Sequence, residues 1–176
     1  MPVINNSGAD IGGVIVTARE LSIAWSNDPN YWKWVPIDEG YNSNHTVIWF
    51  LNFVYREWGE EGEIAELIQV SWLDVEGRVK MQNLEEGREY EVMFLVIMGN
   101  IGARNFPVIL KLIANGEEQE KTVDLNNLRD KGELVSVSVG KFAATSSGDV
   151  AFSLANHDSS LKEGLSVKGA IIESRS

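Results

Sequence analysis

The chain has 176 residues, 44% of them hydrophobic and 23% charged, the composition of one globular domain with a full core and not of a disordered chain. Its 26 acidic against 15 basic residues give a formal charge of −11, which repels phosphate backbones and anionic membrane surfaces over a Debye length of about 8–10 Å. There is no cysteine, so a disulfide framework and a thiolate metal site are both excluded.

In chain order, residues 1–13 are rich in Gly, Asn and Asp and read as a flexible tail ahead of a single domain over residues 14–176. This start lacks the basic and apolar regions of a secretory signal, and no run approaches the ~18 apolar residues of a membrane span, so a cytoplasmic or nuclear setting is expected. Val14, Ile15 and Val16 form a candidate edge strand, open to pairing with a second copy in a homodimer. Leu21, Ile23 and Trp25 alternate with Glu20, Ser22 and Ala24, the period of a strand buried on one face. Asp38 to Gly62 carries Trp49, Trp58 and the apolar run Val47–Tyr55, and reads as an inserted loop or hairpin. Trp72 falls within the apolar run Leu67–Val75 and is expected in the core. Glu76-Gly77 and Asn115-Gly116 are predicted hairpin connections, Glu91–Met98 and Phe106–Ala114 strands, and Leu125–Lys131 a short helix. Val135, Val137 and Val139, then Val150, Phe152 and Leu154, alternate again with polar or small residues, and the Lys162–Lys168 segment closes the fold. The expected fold is all-β, an antiparallel β-sandwich of jelly-roll type with few or no helices.

Chemistry that needs a nucleophile finds no support, because the two histidines, His45 and His157, stand in no nucleophile motif such as G-x-S-x-G. Zinc spacings, calcium loops and phosphate-binding glycine loops are missing as well, so neither an enzyme nor a cofactor or metal site is expected. The dense acids Glu60, Glu61, Glu63 and Glu66 read as a solvated face, not as a glycosidase pair. What stands out is the segment around Ser26–Asn30, where Trp25, Tyr31, Trp32 and Trp34 crowd a polar turn. Indole planes beside amides and carboxylates suit a pyranose, which offers a flat C–H face edged by hydroxyls. Trp32 is the expected exposed platform and shares a strand face with Trp34, Asp28 supplies a polar edge, and Trp25 is assignable to either core or ligand.

The stretches TARELSIAWSNDPNYWKW, AELIQVSWLDVEG, DVAFSLAN and LKEGLSVKGAII, in this order, resemble the phloem protein two family, also called Nictaba-like lectins. The resemblance spans most of Thr17–Ile172. It implies a plant cytosolic or nuclear lectin, present in phloem sap in some members, non-enzymatic, often dimeric, and binding oligomers of N-acetylglucosamine and the chitobiose core of N-glycans. It carries sugar contact onto Trp25 and Trp32 and onto two late-strand acidic positions, here Asp149 and Asn156. Asn156 replaces a carboxylate with an amide, which donates as well as accepts but makes no charge-assisted bond. Some family members associate with RNA, a role that the −11 charge opposes. The alternative from another class is a structural or protein-interaction module whose aromatics are core.

Overall fold

A computed structural model describes residues 13–36, 62–128 and 131–175. Of the tail expected at 1–13, residues 1–12 lie outside the described residues, as do His45, Trp49 and Trp58 of the expected insert, while Gly13 opens the first strand.

Eleven strands are described: β1 (Gly13–Thr17), β2 (Ser22–Ile23), β3 (Trp32–Pro36), β4 (Glu63–Leu67), β5 (Leu73–Lys80), β6 (Glu89–Met98), β7 (Pro107–Ala114), β8 (Glu117–Asp124), β9 (Leu134–Ala143), β10 (Asp149–Asn156) and β11 (Leu165–Ser174). They form two antiparallel sheets, one ordered β3-β4-β11-β6-β9 with β1 also on β11, the other ordered β2-β5-β10-β7-β8. The helical segments described are 3-10 turns of three residues. The expected β-sandwich is therefore present, and from β3 onward the chain passes repeatedly from one sheet to the other.

Side-chain alternation decides which face of each strand is inside. Val150, Phe152 and Leu154 of β10 are sealed in the core while Ala151, Ser153 and Ala155 face outward. Leu73, Val75 and Val79 of β5 point inward in the same way. Phe152 meets Phe94 of β6 edge-on, with ring centroids 5.4 Å apart, and this contact ties the two layers. The Asn115-Gly116 hairpin between β7 and β8 takes φ values of 56° and 75°, the doubly left-handed turn that the pair accommodates.

Two expectations are corrected. Glu76-Gly77 is not a turn but the middle of β5, facing Ser153 and Phe152 across the ladder. Gly77 is required there because a Cβ would lie 2.2 Å from the Phe152 ring. The helix expected over Leu125–Lys131 contracts to a 3-10 turn at Leu125–Asn127, whose entry is capped by the Asp124 carboxylate accepting from the Asn126 amide. Leu128 is already extended, so the turn cannot propagate.

Val14–Val16 lies in β1, paired with β11 from Gly13–Glu173 to Thr17–Gly169. Lys162 and Lys168, both almost fully buried, flank the start of β11. The register of β10 on β5 runs from Asp149–Lys80 at one end to Asn156–Leu73 at the other. The functional geometry gathers at the second of these ends.

Candidate functional site

After Ile23 the chain leaves β2 in a tight turn, and Trp25 adopts φ +67°, a conformation that a bulky residue reaches only under constraint. The constraint is visible bond by bond. The Ala24 amide donates to the Asp74 carbonyl, the Ser26 amide to Ile23, and the Asp28 amide to Trp25. From below, the Trp32 indole donates to the Ala24 carbonyl at 3.0 Å and the Trp34 indole to the Ser26 carbonyl at 3.0 Å. Asp28 closes the far side, its carboxylate accepting from the Asn30 backbone and side-chain amides. Arg19 lies 3.6 Å from the Trp34 ring centre while bonding Glu63, whose carboxyl is held below its usual range by that guanidinium. The product is a fixed turn that presents Trp25 at 56% exposure beside Tyr31, ring centroids 5.8 Å apart, over an open hollow lined by Ser26, Asn27 and Pro29.

A second aromatic feature stands at the same end. Trp72 is 49% exposed and stacks face to face on His157 at 3.6 Å and 2°. His157 Nε2 lies 3.0 Å from Asp74 Oδ2, and Asp74 in turn anchors Ala24 through its carbonyl. The two segments bearing this pair are joined by one ammonium. Lys162 Nζ donates to the carbonyls of Ser71, Asp158 and Ser160 and to the Asp158 carboxylate. The Ser160 hydroxyl and Lys162 hold the Asp158 carboxyl far below the usual carboxylate range. Tyr31 completes the connection, its carbonyl accepting from the Ile68 and Gln69 amides.

The residues expected at the site separate into three groups. Trp25 is exposed, with Tyr31 beside it. Trp32, expected as the bare platform, is 2% exposed, because its ring packs into the core and its N–H is committed to the turn above it. Trp34 serves the same turn, and Asp28 shapes it. Asn156 sits at the Leu73 end of β10, and its amide donates to the Pro107 carbonyl at 2.7 Å and accepts from the Asp158 amide. A carboxylate in its place could not make the first of these bonds. Asp149 is seven residues away along β10, about 23 Å from that end, and pairs with Arg78. Trp72, expected in the core, is the contact candidate that sequence reasoning missed. The signal was strand parity: with Leu73 and Val75 inward, residue 72 faces out. Among the described residues no group of three or more His, Asp or Glu is placed to hold a metal ion.

A two-sheet antiparallel sandwich with exposed indoles at one end defines this as a β-sandwich protein of the same architecture as a family 35 carbohydrate-binding module from Clostridium thermocellum, matched over 93% of this chain and 98% of that one at a TM-score of 0.52 and 13% identity. The identity is too low for this likeness to reach beyond the fold. The family profile of phloem protein 2 matches residues 13–174, and the chain belongs to that family. It is 32% identical to a lectin of Luffa acutangula over 96% of this chain and 73% of that one. It is 36% identical to the Arabidopsis thaliana protein PHLOEM PROTEIN 2-LIKE A1 over 88% of this chain, and spans 58% of that relative's length.

Proposed function

We propose that the protein is a non-catalytic lectin that captures oligomers of N-acetylglucosamine, free or in the chitobiose core of N-glycans, with Trp25 as the stacking platform. The observation that carries this reading is an indole held bare at φ +67° by two other indoles bonded to its turn. A large apolar ring kept out of the core by such a framework is suited to the C–H face of a pyranose, with Tyr31 and the polar groups of Ser26–Asn30 within reach of its edges. The family membership and the lectin relative support saccharide as the ligand class. The helices described are three-residue turns, and none is long and apolar enough to cross a membrane.

One stacking contact contributes about 1–3 kcal/mol, so Trp25→Ala should weaken chitotriose binding by about 5–150-fold in calorimetric titration. The melting temperature should stay within a degree or two, since the ring is already exposed. An unchanged dissociation constant removes Trp25 from the site.

Among the described residues β1 pairs only with β11, and its other edge is the surface through which two copies would join. Two sites in one particle raise avidity on a multivalent glycan by about 10²–10⁴-fold. Sedimentation across a dilution series should give the mass of a dimer, and a monomer at every concentration rejects the pairing.

A further inference from the structure

The outer face of the five-stranded sheet is not flat. It carries a trough of about 950 Å³, the size of a ligand site, running along β10 between β5 and β7. Its floor is made of small side chains, Ala151, Ser153 and Ala155, which alternate outward along β10. One wall is formed by β7, where Ile109 and Ile113, 42% and 43% exposed, stand on either side of Lys111. The opposite wall is polar, with Glu76 of β5 in register between Ser153 and Ser22. From Ala151 to Asn156 the floor extends about 17 Å, too long for one sugar ring and suited to a short chain of them.

One end of the trough is closed by His157, whose ring is backed by Trp72. That slab belongs to the end of the sandwich where the Trp25 turn stands, and Asp74 links the two by bonding Ala24 through its carbonyl and His157 through its carboxylate. We infer that the trough holds the continuation of an oligosaccharide whose leading ring rests on Trp25, so that the protein reads a chain and not a terminal sugar. The inference rests on the saccharide-binding reading above.

The chemistry of the walls selects this occupant. Two exposed isoleucines interleaved with polar groups and facing a polar wall match a pyranose chain, which carries C–H faces and hydroxyl edges along its whole length. On the β7 side Lys111 is paired with Glu118 and Glu120, and on the β5 side Arg78 is paired with Asp149 while Glu76 adds a further carboxylate, so the trough offers no excess of positive charge to nucleic acid or uronate chains. An extended peptide gains most by adding to a free strand edge, and the floor strand has none, being paired on both sides.

The test is titration of chitobiose, chitotetraose and chitohexaose against the intact protein, Ser153→Trp and Ile109→Ser. Both positions face outward, and thermal unfolding checks that each variant is folded. The intact protein should gain about 10–100-fold in affinity from the dimer to the hexamer, the worth of two or three added hydrogen bonds. Ser153→Trp should keep the chitobiose affinity and lose that gain, and Ile109→Ser should lose part of it. If both folded variants match the intact protein at every length, the trough is not used, and the lectin reading stands without it. If the intact protein binds none of the three, the lectin reading falls and the trough assignment falls with it. If hexalysine binds the intact protein and is excluded by Ser153→Trp while the sugars are indifferent to it, the trough is a peptide surface and the proposal is overturned.

Discussion

Trp25 and Trp32 show how a side chain can serve a site without touching a ligand. Trp32 fills the core with its ring and spends its only side-chain donor on the Ala24 carbonyl beneath Trp25. Trp32→Phe keeps most of the apolar volume and deletes that donor. It should destabilise the protein by about 1 kcal/mol, the cost of leaving a partly buried carbonyl without its partner. Urea unfolding measures the loss, and titration with chitotriose should show weaker binding although residue 32 stays buried. A variant as stable as the parent removes the supporting role. That the tryptophans cluster on a turn was legible from their crowding around Asp28-Pro29. Which one is bare was not, because the choice depends on the chain leaving β2 one residue before Trp25, and no local periodicity records where a two-residue strand stops. Asn156 was legible as a departure from an acidic position, but its donation to Pro107 requires the β10–β7 pairing to be known.

At the scale of the element, β5 and β10 are matched to each other through a glycine. Gly77 has ordinary strand geometry, so alanine is allowed by the backbone and refused chiefly by the Phe152 ring, with the Leu21 side chain also close at 3.0 Å. Gly77→Ala should cost about 1–3 kcal/mol as an overpacked core, read as a shift in the denaturation midpoint. Phe152→Leu in the same chain should recover part of it, because the two positions are in contact. If Gly77→Ala alone leaves the midpoint unmoved, the strands are free to shift and the contact is not limiting. The alternating strands β9 and β10, the edge strand β1 and the Asn-Gly hairpin were all readable from period and turn chemistry. Gly77 was misread because an acidic residue before glycine signals a turn unless a large ring across the ladder needs the space.

For the molecule as a whole, the end that carries the aromatics is also where two sheet-to-sheet crossovers meet, β4 to β5 and β10 to β11. Asp158 sits at that meeting with its carboxyl held far below the unfolded value near 3.8, chiefly by the Ser160 hydroxyl and next by Lys162. A depressed folded value means that the stabilisation is full above about pH 4 and drains away as acid protonates the group, since below that pH the unfolded chain takes up the proton first. Asp158→Asn should therefore be less stable than the parent at pH 7, with the gap closing as the pH falls below 4. A gap that is the same at pH 7 and pH 3 shows that the carboxylate charge does not contribute.

The Lys162 ammonium has three protons for four oxygens, and those oxygens come from both crossovers. Ser71 and Asp158, the immediate neighbours of Trp72 and His157, are thus riveted to one another and to the frame that joins the sheets. A visiting molecule that leans on the indole–imidazole slab meets masonry instead of a curtain, and the disorder lost in shaping that end has already been given up when the chain folds, not when the guest arrives.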